Sequence, residues 1–349
     1  MDMFEYQRNL DSLSFTPEQK AKLAAKAVLA AEQKPQKHSF RVLKTAAAAF
    51  CLLFAMTITA EAAGVQTPLS EFLAPIFGGT VAQTEIIDKI GRPINASDTD
   101  NGVTIQADAI IGDAYNLCIV YTIRRDDGTA LLPENFTANH MFVAAGGGTQ
   151  FDASYHGSSY FIDEVPGDSE MQYVEMLSFN KPVNDRKSVK VEFDDIRCSD
   201  EATETVTSVL KGKWRFRFDI AYEDSSVKLG GGETFTQDSL NFTINDIMVS
   251  PIGIKVDYQV DSKIMLSNQE NGRLPEEDRN EFGRYMNNVQ ILLNKKDGTV
   301  VDLSGAGGFT RSSKGKTDCS KSMVFDEIIP LEELESVSVG GVVYPIPNN

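Results

Sequence analysis

The stretch NGVTIQADAIIGDAYNLCIVYTI, Asn101 to Ile123, decides the fold class. Apolar residues alternate with other residues on both sides of a turn signal, "IGD", and period two is typical of β-strands rather than helices. The alternating positions are Val103, Ile105, Ala107 and Ala109 before the turn, and Tyr115, Leu117, Ile119, Tyr121 and Ile123 after it. The stretch therefore predicts an antiparallel β-hairpin.

The same plan returns later in the chain. LNFTINDIMVSPIGIKVDYQV, Leu240 to Val260, alternates in the same way around a turn signal at Ser-Pro. Both halves also contain a proline that is followed six residues later by Ser-Val-x-Val, at Pro182 and at Pro330. These correspondences indicate an internal repeat of a β unit.

A third correspondence joins YTIRRDDGT, residues 121–129, to ILLNKKDGT, residues 291–299. We interpret the repeat as two antiparallel β domains, residues 98–223 and 224–349. Many short strands with turn signals between them favour immunoglobulin-like β-sandwiches. The predicted fold class is mainly β, with short helices and one membrane span before the two sandwiches.

An uncharged run of sixteen residues, Thr45 to Ala60, precedes the β region. With Lys44 reaching one interface and Glu61 at the other, Val42 to Ala63 can be helical, which at about 1.5 Å per residue just spans a bilayer. We therefore predict a transmembrane helix at residues 45–63. Two alternatives stay open: a signal peptide cleaved at the A-x-A sequence that ends the run, and a helix buried in a soluble core. We favour the transmembrane helix because charge changes sharply across it.

The chain carries a net charge of −17, distributed unevenly. Residues 1–44 hold eight Lys or Arg against five Asp or Glu, which leaves twenty-five against forty-five for the rest. Short basic segments beside a span stay in the cytoplasm, so we expect a cytoplasmic N-terminus and extracellular C-terminal domains in a single-pass membrane protein. Nucleic acid is excluded as a partner because duplex binding needs cations on the protein.

Residues 1–44 are predicted to form a cytoplasmic helical arm. Thr16 caps a helix that starts at Pro17, with Gln19 completing a capping box. Apolar side chains on so small an arm need the membrane surface or a partner's groove. The predicted partner-binding residues are Phe4, Tyr6, Leu10, Leu13, Phe15 and Leu23. The alternative is a weakly ordered leader that only sets topology.

Residues 64–97 are predicted to form a juxtamembrane helix and a linker. TPLSEFLAPIFGG has Thr67 and Pro68 as start signals and Gly78 as a stop signal. Leu69, Phe72, Leu73 and Ile76 share one helix face. That face either packs on the first β domain or lies on the bilayer.

Two segments are candidate binding surfaces. In KGKWRFRFDI four cations alternate with aromatic residues, which gives a strand one aromatic and one cationic face; we call Lys211, Lys213, Arg215 and Arg217 the cationic ledge. It is interpreted as an ordinary amphipathic strand; the functional alternative is a ledge that holds an anionic surface polymer or neighbouring acidic loops. Residues 261–288 are a polar insertion of a kind that often carries binding on β scaffolds. We favour the alternative, a solvated excursion with a turn of helix after Pro275.

The sequence offers no chemistry that predicts an enzyme. Its three histidines form no metal-ligand pair, and the four cysteines match neither a zinc site nor a disulfide framework. SDTDNG departs from a calcium loop and is interpreted as an Asx-type turn before the first strand. We therefore predict no catalytic residue, no metal and no cofactor; a hydrolase site assembled only in three dimensions is the third hypothesis.

Several motifs together resemble those of one family: FTPEQKAKL, an Ala-rich span, SEFLAPIFG, DNGVTIQADAIIGDAYNLCIVYTI and INDIMVSPIGIKVDY. They resemble an uncharacterised family of single-span Gram-positive surface proteins, with a shared domain of unknown function and often a second immunoglobulin-like domain. Some members are described as anti-sigma factors because they accompany extracytoplasmic-function sigma factors. The resemblance implies no catalytic residues.

Two functional hypotheses follow. The first is a membrane-anchored, non-enzymatic envelope sensor or anti-sigma factor, whose ectodomain senses and whose arm binds a cytoplasmic regulator such as a sigma factor. The second is an anchored or shed extracellular module that binds cell-wall polymer, carbohydrate or host protein.

Overall fold

A computed structural model describes residues 69–133, 136–144, 146–183, 188–200, 205–267 and 275–347. These residues all belong to one compact unit, Thr67–Asn349. None of the helices within these described ranges is both long and apolar enough to cross a bilayer. The predicted arm, residues 1–44, and the predicted span, residues 45–63, lie outside the described residues and stay predictions.

The described helices lie at the N-terminal end and in the insertion: α1 Leu69–Phe77, α2 Val81–Ile90 and α3 Glu276–Tyr285, with short 3-10 helices at Ala138–His140 and Leu331–Glu333. Helix α1 ends where Gly78 takes the left-handed φ of 90°. Helix α2 follows at once and starts with a capping box between Thr80 and Gln83. The helix predicted over TPLSEFLAPIFGG is thus present, and the predicted linker contains a second helix; the position of these helices beside a membrane stays a prediction.

The N-terminal β half contains two antiparallel sheets, A and B. Sheet A has the order β1-β2-β3-β7-β6, and in sheet B strands β4, β5 and β9 all pair with β8. The strands are β1 Arg92–Asp100, β2 Val103–Gly112, β3 Asn116–Arg125, β4 Met141–Val143, β5 Gly148–Gln150, β6 Tyr155–Ile162, β7 Glu170–Phe179, β8 Val189–Asp200 and β9 Thr205–Phe218.

The C-terminal β half contains sheets C and D. Sheet C has the order β10-β12-β13-β17-β16, with β11 also paired to β12, and sheet D has the order β15-β14-β18-β19. The strands are β10 Val227–Gly230, β11 Thr234–Gln237, β12 Leu240–Ser250, β13 Gly253–Val260, β14 Ile291–Lys295, β15 Val300–Asp302, β16 Gly307–Ser313, β17 Lys316–Val324, β18 Leu334–Val339 and β19 Val342–Pro345.

The mainly β fold class and the predicted hairpins are confirmed. Strands β2 and β3 form the first hairpin, and β12 and β13 form its repeat. Sheets A and C share one strand order, and each half has a hydrophobic core that takes residues from both of its sheets. The Ser-Val-x-Val motifs also occupy equivalent strands, β8 and β18.

Two details of the sequence interpretation are wrong. YTIRRDDGT ends β3 in sheet A, whereas ILLNKKDGT ends β14 in sheet D, so these segments are not equivalent. SDTD is not a turn but the end of β1, which starts at Arg92 and so crosses the predicted boundary at residue 98. The turn is Asn101-Gly102, with φ of 50° and 73°, as an Asn-Gly hairpin requires.

Candidate functional site

The helix pair α1–α2 packs where the two β halves meet. Its buried residues Leu73, Phe77, Ile87 and others join a hydrophobic cluster with the outer face of sheet A. The cluster also contains three residues of the C-terminal β half, namely Ile252, Val324 and Ile328. The apolar face of α1, for which two positions were open, therefore contacts protein.

Hydrogen bonds fix the helix pair to the C-terminal β half and to the connection between the halves. The backbone N–H of Ile328 donates to Phe77 O over 3.1 Å, and Gln83 Nε2 donates to Ile328 O over 3.2 Å. At the end of α2, the N–H of Glu223 donates to Ile90 O over 3.2 Å. The first elements after the predicted span thus contact both halves directly.

A buried polar network, centred on Asp113, joins the β halves; we call this contact the junction. Asp113 lies in the turn of the first hairpin, where its Oδ1 accepts the backbone N–H groups of Tyr115 and Asn116 at 2.7 and 2.8 Å. Its Oδ2 accepts Ser250 Oγ–H, from the repeated hairpin, at 2.6 Å. Ser178 Oγ donates in turn to Asn116 Oδ1 over 2.7 Å. Burial raises the pKa of Asp113, and these hydrogen bonds offset part of that rise.

Two cross-strand rows face each other at the junction. In sheet A the row is Asn116, Ser178 and His156, and in sheet C it is Lys255, Ser322 and Gly307. His156 Nε2 lies 3.2 Å from Ser322 Oγ. Lys255 of the sheet C row makes a cation–π contact with Tyr115, with Nζ 4.5 Å from the ring centroid. The same ammonium forms an ion pair with Asp257.

Glycines allow the two halves to approach this closely. A Cβ at Gly253 would lie 2.8 Å from Asn116 Nδ2, and a Cβ at Gly307 would lie 2.7 Å from His156 Nδ1. Both distances are shorter than packed atoms tolerate. The junction therefore depends on residues without a side chain at two positions.

The Ser322–His156 pair resembles part of a catalytic dyad but is packed as a structural contact. Ser322 is fully buried, and burial is the cause that lowers the pKa of His156. A nucleophile needs room for a substrate and a base that is held by a third group, and neither accompanies this pair in the described ranges. In the same described residues, no group of three or more His, Cys, Asp or Glu side chains could hold a metal ion.

A second buried carboxyl lies inside the core of the N-terminal half. Glu175 of β7 accepts the backbone N–H of Thr149 at 3.0 Å, the Thr149 hydroxyl at 2.5 Å and Tyr121 Oη–H at 3.1 Å. Gly148 makes room for it, since a Cβ there would stand 2.0 Å from Glu175 Oε1. Burial raises the pKa of Glu175. The carboxylate oxygens of Glu175 accept hydrogen bonds inside the core. Because Glu175 lies on β7 and Thr149 on β5, the carboxylate links sheets A and B.

The cationic ledge lies on β9, where its four side chains are exposed and Trp214 and Phe218 are buried. Arg215 is paired with Glu192 at 3.2 Å and with Asp194 at 2.9 Å on β8. Among the described residues Lys211, Lys213 and Arg217 have no ion pair. The amphipathic strand is therefore present, and one of its four cations is neutralised by its neighbours.

Acidic side chains of β1 cover the open edge of the ledge strand. Asp100 Oδ2 accepts the backbone N–H of Lys213 and Asp98 Oδ2 that of Arg215, each at 2.8 Å. Trp214, also on β9, donates its Nε1–H to Val103 O of β2 over 2.8 Å. These bonds explain the spacing of the two aspartates in SDTD. Carboxylates two residues apart accept hydrogen bonds from backbone N–H groups two residues apart on β9, an edge strand.

The described part of the insertion, residues 261–267 and 275–288, contacts the C-terminal core through α3. Tyr258 Oη donates to Tyr285 O over 2.7 Å. The buried Lys321 ammonium donates to the carbonyls that follow the helix, Met286 O at 2.9 Å and Val289 O at 3.3 Å, and to Ser304 O at 2.6 Å. Burial lowers the pKa of Lys321 to about 8. The helix thus rests on a rigid base.

Sequence reasoning found the ledge and the insertion but missed the junction, Glu175 and Lys321. Helix α2 had a usable signal, since Thr80 and Gln83 match the capping-box pattern. The junction had none, because Asp113 and Ser250 are 137 positions apart and carry no motif. Cys118, Cys198 and Cys319 are buried and form no disulfide in the described ranges.

Comparison with known proteins gives few matches. No curated protein matches the chain. The crystal structure of a conserved domain protein from Bacillus anthracis is 13% identical, with 71% of this chain and 76% of that chain covered and a TM-score of 0.41. The CupB6 tip adhesin from Pseudomonas aeruginosa is 11% identical, with 71% and 94% covered and a TM-score of 0.15. Residues 36–125 match a family model described as Domain of unknown function (DUF4179), so the part of the chain from before the predicted span to the end of β3 is similar to that uncharacterised family.

Proposed function

We propose that the chain is a membrane-anchored, non-enzymatic envelope sensor with a cytoplasmic N-terminus and two immunoglobulin-like extracellular units. Its arm, residues 1–44, would bind a cytoplasmic regulator, for which an extracytoplasmic-function sigma factor is the candidate. The observation that carries the proposal is the position of α1–α2: the helices that directly follow the predicted span pack against both β halves.

This position supports a coupling mechanism. A ligand can shift an equilibrium only through contacts that differ between two states. A ligand that changed how the β halves meet would change the surface on which α1 and α2 pack, and with it the path of the chain into the span. The arm would then release its partner or become open to proteolysis.

The chemistry of the junction supports two discrete arrangements rather than gradual loosening. A buried network is stable when every member is satisfied and costly when one bond is lost. Asp113 accepts hydrogen bonds from both halves, and Ser250 is fully buried. If the halves separated, the Asp113 carboxylate and the Ser250 hydroxyl would lose their shared hydrogen bond and become exposed at the same time.

The first experiment tests the arm. Full-length protein carrying Leu10→Glu and Leu13→Glu, the wild type and a charge-matched control with Gln7→Glu and Asn9→Glu are cross-linked in cells and purified. We expect a cytoplasmic partner with wild type and control, and its loss from the Leu variant. Absence of any specific cytoplasmic protein from the wild type would refute the sensor.

The second experiment tests topology with tags at both ends and protease shaving of intact cells. An anchored chain loses the C-terminal tag and keeps a protected N-terminal fragment of about sixty residues, given a span of about 20 residues. A free β region in the medium without the N-terminal tag would refute the anchor in favour of a cleaved signal.

The alternative is an anchored or shed binding module for cell-wall polymer, carbohydrate or host protein. Its support is the cationic ledge. Lys211, Lys213 and Arg217 lie on one face of β9, are exposed and have no ion pair in the described ranges. The chain as a whole has a net charge of −17. In this case replacing residues 1–44 by an unrelated leader of the same topology would leave the phenotype intact, while Lys213→Glu with Arg217→Glu would abolish it.

A further inference from the structure

A polar groove lies between α3 and the β11–β12 turn, on the C-terminal β half. It is an open groove with a volume of about 630 Å³. Its lining comes from α3, from the turn and from the residues that follow the helix: Ser239, Arg279, Asn280, Gly283, Asn287 and Asn288, with Asp238 and Arg284 between the walls.

Hydrogen bonds across the groove hold its two walls in fixed positions. From the helix side, Arg284 Nη2 donates to Asp238 O over 2.8 Å and Asn288 Nδ2 to Asp238 Oδ2 over 2.9 Å. From the turn side, Gln237 Nε2 donates to Asn288 O over 2.7 Å. The bonds from Tyr258 and Lys321 hold the helix from below. A site held in this way loses little conformational entropy on binding.

Gly283 gives the groove its floor. It lies inside α3, where glycine is a poor helix former, and no packed neighbour explains its presence. A Cβ at this position would meet one atom within 4 Å, Asn288 Oδ1 at 3.8 Å. Because Gly283 itself lines the groove, any side chain there would occupy the ligand volume rather than the protein core.

The groups that line the groove select a class of ligand. Carboxamides of Asn280 and Asn287 each donate and accept hydrogen bonds, as does the hydroxyl of Ser239. Sugar hydroxyls also donate and accept, so the two sets match. The guanidinium of Arg284 is already bound to Asp238 O and to Glu281, so Arg284 is not available to an anion.

We propose that this groove binds a glycan, with sugar hydroxyls bound by the side chains of Ser239, Asn280 and Asn287 over the floor at Gly283. This inference rests on the proposed function, because it names the ligand class that the extracellular region would detect.

The test uses full-length protein in a detergent without a sugar head group. Calorimetric titrations use three tetrasaccharides: chitotetraose, mannotetraose and tetragalacturonate. We expect at least one to bind with a Kd below about 1 mM. Gly283→Leu and Asn280→Ala should each weaken that binding at least about tenfold. Glu277→Leu, on an exposed part of the same helix away from the groove, should leave it unchanged.

Gly283→Ala separates an occupied groove from a misfolded protein. Alanine fits the helix and is expected to raise thermal stability or leave it unchanged, while it weakens binding. No binding of any tetrasaccharide up to about 5 mM, or equal binding by Gly283→Leu and wild type, would overturn the proposal. A partner captured by the arm together with an empty groove would leave the sensor standing, whereas glycan binding without an arm partner would refute the sensor alone.

Discussion

Asp108 places a carboxyl group in the β-bulge of β2, at a cost that can be measured. It is 2% exposed, and Gln106 Nε2 donates to its Oδ1 over 2.7 Å. Its Oδ2 has no hydrogen-bond partner among the residues that the structure describes. Burial raises the pKa of Asp108 to about 6, and hydrogen bonding from Thr122 and Gln106 offsets only part of that rise.

The sign of the pH dependence follows from linkage. Because the pKa is higher in the folded chain, the contribution of Asp108 to stability is fully present below about pH 4 and is lost as the pH rises through about 6. The rise of this pKa from 3.8 to about 6 corresponds to about 3 kcal/mol. Asp108→Asn removes the ionisation, so between pH 4 and pH 8 the variant should gain about 2 to 3 kcal/mol relative to the wild type.

Urea unfolding measures this difference, with the fluorescence of Trp214, the single and fully buried tryptophan, as the signal. Only the change of the difference with pH is used, because the new amide also has a constant cost. The control is Asp246→Asn, which removes the ion pair of a partly buried carboxylate with the exposed Lys228 at 2.6 Å and should cost up to about 1 kcal/mol without a gain at high pH. A difference between Asp108→Asn and wild type that does not change with pH would refute the reasoning.

Three further predictions concern single contacts. Lys321→Met leaves three backbone carbonyls without their donor, so we expect a loss of about 2 to 4 kcal/mol in urea unfolding; a neutral result would show that burying the ammonium costs as much as its bonds contribute. Trp214→Phe loses the bond to Val103 O and should lower stability by about 1 to 2 kcal/mol, measured by circular dichroism. Gly253→Ala places a methyl group against Asn116 and should open the junction, with faster proteolysis between the β halves; unchanged cleavage would contradict a tightly packed junction.

The sequence alone predicted the features that depend on local periodicity. Residues in a strand point to opposite faces in turn, so alternation in Asn101 to Ile123 and in Leu240 to Val260 was enough to predict both hairpins. The cationic and aromatic faces of β9 followed in the same way. Helix α1 was predicted from its start and stop signals, and its end at Gly78 needs only a residue that tolerates positive φ.

Tertiary structure decided which faces are covered. In β3 consecutive residues Cys118, Ile119 and Val120 are all fully buried, because sheet A packs on sheet B on one side and on α1–α2 on the other. Alternation in sequence predicts one buried face and cannot reveal that a second layer covers the other. The helix pair α1–α2 provides this second layer.

Tertiary structure also decided the environment of each polar group. Asp98 and Asp100 were assigned to a turn, yet they satisfy the edge of a strand more than a hundred residues away. Asp113 meets Ser250 across a similar separation, and the Lys321 ammonium donates to three carbonyls from two different segments. Local pattern fixes where a side chain points along its own strand or helix. Its partners and its pKa depend on which distant surfaces pack together, and that is set by the free energy of the whole fold.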